Sequence, residues 1–327
     1  MASKGLEKTL EKLRNSVHAG NYYEAHQMYR TVARRYNKQT KYNDTIRLLF
    51  DGAILLMQSK QYGSGSDLAN YMVDTYKLAH VPVDEASLGR IVDILALFPV
   101  DEAGRKPFIS SAFRWTKEEG EYPEGDPDLH HYVGTMFFYE KKFSLAEDHL
   151  LLGTLESAKL LGQVAYTWAE EENVQAKGVF LARIALQFLA SKDIHRAALT
   201  FDSFTESGTL PVAAKSSVRH APVAEPSPVQ VYSDAWINLV QLVLLTVQRD
   251  ASNLFKELKE KYAPLYSQES NFVELMEDIG LHFFNIPKPR KQTNMIQEMM
   301  ASLFSGGPAA GSGNLQLGGP KSSEDLD

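Results

Sequence analysis

No cysteine occurs in the chain. Disulfides, thiolate zinc sites and thiol nucleophiles are therefore excluded, and a reducing compartment is the expected setting. Long apolar runs are also missing. The richest stretch, Trp236 to Val247, is broken by Asn238 and Gln241 and falls short of the ~20 residues a bilayer span needs. The opening residues Met1-Ala2-Ser3-Lys4-Gly5-Leu6-Glu7 have no signal-type apolar core. A cytosolic protein, without direct membrane insertion, is expected, so Asn43-Asp44-Thr45 is read as a chance glycosylation match. Positive charge is short overall. The net charge of −7 argues against nucleic acid as a partner. Before residue 207 no stretch alternates with the period of two that marks a strand.

Catalytic signatures are lacking as well. There is no Gly-x-Ser-x-Gly elbow and no His-Glu-x-x-His. Tyr62-Gly63-Ser64-Gly65-Ser66-Asp67 is only faintly like a phosphate loop, because it lacks the Gly-Lys-Ser/Thr ending and follows a helical pattern. His130 and His131 are adjacent and would point about 100° apart on a helix, so they cannot share a metal. His18, His26 and His149 show no acidic partner at ligand spacing. Glu170-Glu171-Glu172 reads as a solvated run, and Lys288-Pro289-Arg290-Lys291 as a charged linker. No enzyme, no cofactor and no metal is the expectation.

What is present is helical spacing over 327 residues, 44% of them hydrophobic. Leu6, Leu10, Leu13 and Val17 fall on one stripe, and Gly20 suits a left-handed stop. Similar stripes follow through residue 206. The Gly/Ser stretch at 62–67 is expected to interrupt them, with Ser66 or Asp67 capping the next helix. Tyr23-Glu24-Ala25-His26, Tyr42-Asn43-Asp44-Thr45, Phe143-Ser144-Leu145-Ala146 and His195-Arg196-Ala197-Ala198 each open a helix after a turn. Recurring helix pairs of this kind predict an all-α fold, an α-solenoid of stacked antiparallel helix pairs with tetratricopeptide-like packing. Residues 207–230 are rich in Pro, Ser, Ala and Val and read as an exposed insertion, with one short β-hairpin near 207–232. Helices resume from Asp234 and are expected to continue to about residue 304. Residues 306–327, rich in Gly and Ser and ending in acids, are expected to be a disordered tail.

Charge is unevenly placed. The first fifty residues hold ten Lys/Arg and four acids, a balance of +6 against −13 for the remainder. A basic end on an acidic protein suits an acidic partner surface.

The string Tyr22-Tyr23-Glu24-Ala25-His26-Gln27-Met28-Tyr29-Arg30-Thr31 closely resembles the hallmark of the Golgi-to-ER traffic protein 4 family. Further matches follow in order: Gly65-Ser66-Asp67-Leu68, Gly125-Asp126-Pro127, Leu129-His130, Leu186-Gln187-Phe188-Leu189, and Phe283-Phe284-Asn285-Ile286-Pro287. The resemblance implies a scaffold in the post-translational targeting of tail-anchored proteins. Residues 1–150 would form the half that holds a targeting ATPase. Residues 151–305 would form the half that clasps a ubiquitin-like-domain subunit, which recruits a client-loaded co-chaperone. The candidates for the ATPase face are Lys8, Lys12, Arg34, Arg35 and Lys41. For the second face they are Trp236, Leu239, Leu242, Val243, Phe283, Phe284, Ile286 and Met299, with intramolecular core the competing role for part of this set. The other readings open to the chain are a different helical-repeat scaffold, such as a proteasome-lid or signalosome-like subunit, and an all-helical enzyme.

Overall fold

The computed structural model describes residues 4–216 and 229–289. Among these residues the chain forms fourteen helices and one two-stranded hairpin. The helices are α1 (Lys4–His18), α2 (Tyr22–Lys38), α3 (Tyr42–Gln58), α4 (Tyr62–Leu78), α5 (Glu85–Leu95), α6 (Arg105–Glu119) and α7 (Pro127–Tyr139). They continue as α8 (Phe143–Leu150), α9 (Leu155–Glu171), α10 (Gly178–Ala190), α11 (Ile194–Glu206), α12 (Ala235–Gln248), α13 (Ser252–Tyr266) and α14 (Ser270–Phe284). Strands β1 (Val212–Ser216) and β2 (Val229–Tyr232) lie between α11 and α12. The hairpin is antiparallel, pairing Val212 with Tyr232 and Ser216 with Val229, with a bulge after Val212.

Neighbours in sequence are mostly neighbours in space, as in a solenoid. α1 packs on α2 and α3, α3 on α4, α4 on α6, α7 on α8, α9 on α11, and α12 on α10 and α13. Leu6, Leu10, Leu13 and Val17 are all buried, so the first stripe read from the sequence is the inner face of α1.

The turns of the first half share one design. Gly20, Thr40, Lys60 and His80 all take positive φ, at 82°, 55°, 60° and 48°. In each turn the next backbone N–H reaches back to the last helical turn: Asn21 to Ser16 O at 3.0 Å, Lys41 to Tyr36 O at 3.0 Å, Gln61 to Leu56 O at 2.8 Å and Val81 to Tyr76 O at 2.9 Å. The left-handed residue itself donates to a second carbonyl three residues back, as Gly20 does to Val17 O at 2.9 Å and Lys60 to Met57 O at 2.9 Å, so two helix-end carbonyls are satisfied per turn. Only the first of these turns uses glycine. A left-handed residue with a side chain costs about 1–2 kcal/mol. At Lys60 a basic side chain beside the helix C-terminus offsets part of that cost through the helix dipole.

The interruption expected at residues 62–67 does not occur. α4 begins at Tyr62 and runs straight through Gly63, Ser64 and Gly65. The small residues serve packing: a Cβ on Gly65 would lie 2.5 Å from Met57 Cγ and 3.2 Å from Ala53 O, so glycine lets α3 and α4 close on one another. Ser66 and Asp67 are not caps. Asp67 projects from the body of α4 toward α2, where it meets His26 Nε2 at 2.8 Å and Arg30. By contrast, Asp84 caps α5 as its position suggests, accepting from Ser87 N at 2.7 Å, and Pro127 occupies the first turn of α7 behind the cap Asp126.

Candidate functional site

The two ends of the solenoid carry different surfaces. At the first end, α1 and α2 run antiparallel through the turn at Gly20, so the start of α1 lies beside the end of α2. Lys8 and Lys12, one turn apart on α1, are exposed, as are Arg34 and Arg35 on α2 and Lys41 in the turn before α3. Arg35 and Lys41 meet over one ring, 5.5 Å and 5.9 Å from the centroid of Tyr36. Arg34 shares the outer stripe of α2 with Tyr23, whose side chain is 76% exposed.

Three other cations of this end are neutralised. Arg14 Nε lies 3.0 Å from Asp51 Oδ1, Arg47 lies 2.8 Å from Glu7, and Arg30 pairs with Asp67. Asp51 also accepts from the buried Tyr29 hydroxyl at 3.2 Å. Burial, with the Asp51 carboxylate beside it, pushes that phenol up. The excess of positive charge is thus smaller than the count over fifty residues implies, since Asp51 and Asp67 come from beyond that window. Lys8, Lys12, Arg34, Arg35 and Lys41 form no ion pair among the described residues. With Lys38, which is exposed at the end of α2, they are cations left over for solvent or a partner.

The other end divides the apolar candidates. Leu239 and Val243 are 0% exposed, so the structure corrects their expected place on a groove. The reason is that α12 is enclosed by α10, α11 and α13. A helix apolar on all sides packs on all sides, and buried Ile237, Val240, Leu244 and Val247 cover its remaining faces. Trp236 is also largely buried, its ring 4.6 Å from Phe272, yet one edge reaches a cavity. Leu242 is half-buried, as are Phe283, Phe284 and Ile286. These last three sit where α14 ends: Asn285 turns left-handed, Ile286 N bonds to Gly280 O at 3.0 Å, and Phe284 packs 4.8 Å from Phe255. Met299 lies outside the described residues, as do the expected helix at 291–304 and the acidic tail.

The cavity holds about 440 Å³. Leu210, Pro211, Trp236, Ile237, Leu265 and Lys177 line it. Asp234 shapes its mouth, capping α12 through Trp236 N at 2.9 Å and tying down Gly178 N at 2.8 Å. Asn238 fixes the hairpin above it with two bonds to Tyr232, at 2.9 Å and 2.8 Å. Sequence reading missed this cavity because its walls come from the α9–α10 loop, the lead into β1, the start of α12 and the end of α13. The signal available was Asp234-Ala235-Trp236, a cap followed by an aromatic at the edge of the insertion.

Glu170 pairs with Lys177 and Glu171 with Lys141, so the acidic run does not converge on a site. Among the described residues no group of three or more His, Asp or Glu is placed to hold a metal ion. Nor is any helix there long and apolar enough to cross a membrane.

A family model described as Golgi to ER traffic protein 4 matches residues 39–304. The chain belongs to that family. It is 32% identical over 293 residues to Golgi to ER traffic protein 4 of Schizosaccharomyces pombe, covering 88% of this chain and 92% of that protein. The Homo sapiens homolog is 27% identical over 300 residues, covering 92% and 86%. The crystal structure of C. therm. Get4 superposes with a TM-score of 0.80 at 33% identity, covering 96% of this chain and 100% of that one. Membership of the Golgi to ER traffic protein 4 family agrees with the helical solenoid and with the resemblance carried by the Tyr22–Thr31 string.

Proposed function

We propose that this chain is a non-enzymatic cytosolic adaptor in the targeting of tail-anchored proteins to the ER, bridging an ATPase at one end and a ubiquitin-like-domain subunit at the other. The observation that carries the reading is the contrast between the two ends. Unpaired cations at Lys8, Lys12, Arg34, Arg35 and Lys41 suit a salt-sensitive contact with an acidic surface. The cavity beside the hairpin and the half-buried Leu242, Phe283, Phe284 and Ile286 suit an extended apolar segment, which needs recesses for its anchoring side chains. Holding two partners at once raises their effective concentration for one another and requires no chemistry from the scaffold.

The test is co-purification with both partners at low and high salt. Deleting residues 1–50 would cut α3 in two and strip cover from α4, so charge reversal is the cleaner change. Arg34→Glu with Arg35→Glu should lower ATPase binding at least about tenfold at low salt, spare the ubiquitin-like subunit and leave the circular dichroism unchanged. Leu265→Glu at the cavity should do the reverse. Loss of both partners from either variant, or of neither, would defeat the two-ended reading.

A further inference from the structure

Midway along the chain, α6 leans on α4, whereas α7 and α8 lean on α9. The seam between these groups is built around two histidines. His130 Nδ1 and His149 Nδ1 are 3.0 Å apart, and His130 Nε2 is 3.1 Å from Glu124 O. A carbonyl only accepts, so His130 carries its proton on Nε2 and presents a bare Nδ1. His149 must then donate from Nδ1. With both rings neutral, they stand in opposite tautomers with one proton between them. The rings pack among phenylalanines: Phe113 of α6 lies 4.2 Å from His130 and 5.0 Å from His149, and Phe137 of α7 lies 5.7 Å from His149.

We propose that this pair is a one-proton latch on the α6–α7–α8 seam, and that a second proton opens the seam. On His130 Nδ1 the added proton keeps the bond only if His149 moves its own proton to Nε2, and a whole charge then sits against Phe113. On His149 Nε2 it sets a whole charge among phenylalanine rings. Neither position has a carboxylate in contact. The charged groups around the pair are Lys117 from α6 and Glu124 and Asp126 from the following loop. Lys117 and Glu124 neutralise each other at 3.1 Å, and Asp126 Oδ1 is held by the N–H groups of Asp128 and Leu129. On α8, Glu147 is taken by Arg183 of α10, and Asp148 is exposed, as is Asp128 on α7. A charged pair is therefore better solvated with the seam open. Burial accordingly holds His130 below the ordinary imidazole value and His149 at about 4.

The experiment is amide hydrogen exchange on the full chain at about pH 7.5 and about pH 5, corrected for intrinsic rates. Protection over the C-terminal half of α6, the loop after it and the start of α7 should fall about tenfold or more at the lower pH, with little change in α1–α3. His149→Phe keeps the ring stack and removes the shared proton, so most of that fall should vanish. An equal fall in the variant, or a fall spread evenly over all helices, overturns the proposal. Should His149→Phe not fold, imidazole proton shifts of the wild-type chain decide it. Two rings titrating together well below a free histidine peptide in the same tube support the latch, and two independent titrations at the peptide's value overturn it.

Discussion

The first four helices and the last five solve the same packing problem differently. α2, α3 and α4 open at Tyr22, Tyr42 and Tyr62, each after a left-handed turn, and their interhelical polar contacts include ion pairs near the surface, such as Arg14–Asp51 and Arg30–Asp67. From α10 onward the left-handed turn recurs, at Lys192 before α11 and Asp250 before α13, but the even spacing and the opening tyrosine do not. A hairpin is inserted, α12 is enclosed on three sides, and the lead into α12 is locked by the side chains of Asp234 and Asn238. A repeat needs only nearest neighbours, so its surface stays free to carry charge. A wrapped core consumes its apolar residues internally and leaves only recesses for a partner.

The joint between the halves belongs to neither design, and the largest expected effect lies there. Arg105 at the start of α6 is buried against Glu140 at the end of α7, with side chains 5% and 11% exposed. It also donates to Val100 O at 2.9 Å and lies 5.6 Å over the Phe137 ring. Removing one member leaves the other buried and poorly compensated, for Lys142 reaches Glu140 only at 3.3 Å. Arg105→Ala should cost about 3–5 kcal/mol in urea unfolding. Truncating the exposed Arg34 of the first region should stay within about 0.5 kcal/mol. A small effect at Arg105 would mean that the joint is as forgiving as the surface of the repeats.

Acid should separate the joint from the first region next most strongly. The folded value of His149 lies at about 4, against about 6.5 in the unfolded chain. Below pH 6.5 the unfolded state binds the extra proton, so the contribution is fully present above that pH and is lost as pH falls toward 4. The loss amounts to about 3 kcal/mol from this residue, and His130, shifted the same way, adds to it. Urea midpoints measured from pH 7 downward should begin to fall near pH 6.5 in the wild type and fall less in His149→Phe. Identical curves would remove the histidines from the account.

How much of this was legible differs between the same regions. The stripe Leu6, Leu10, Leu13, Val17 exposed α1 because each residue reports only its own helix. Tyr62–Asp67 misled for the opposite reason. Glycine there answers to Met57 on a neighbouring helix, which local turn preference cannot register. His26 showed no acidic partner in sequence because Asp67 is brought to it by the α2–α4 contact. Leu239 and Val243 looked available for a partner because periodicity shows that a face is apolar without showing how many helices cover it.

Two glycines sharpen the comparison further. On Gly162 of α9 a Cβ would lie 2.5 Å from Thr200 O and 2.7 Å from Phe204 N, both backbone atoms of α11. On Gly65 its nearest neighbour would be the flexible Met57 side chain at 2.5 Å. Overpacking costs about 1–3 kcal/mol, so Gly162→Ala should fall at the upper end and Gly65→Ala at the lower, as read from thermal midpoints. Equal losses would show that α3 and α4 are pressed together as rigidly as α9 and α11.

The smallest effects test the turns that give the first region its beat. Thr40 and Lys60 hold the same left-handed conformation, at φ 55° and 60°. Glycine relieves about 1–2 kcal/mol of strain at either position and returns about 0.5–1 kcal/mol as unfolded-state entropy. Thr40→Gly should therefore stabilise by up to about 1.5 kcal/mol. Lys60→Gly also forfeits an ammonium beside the α3 C-terminus, worth about 0.3–1 kcal/mol at low salt, so its gain should be near zero there and should grow as salt screens the dipole. Midpoints of the two variants measured at low and high salt decide the matter. If Lys60→Gly gains as much as Thr40→Gly at low salt, charge at the helix end does not explain why these turns tolerate lysine.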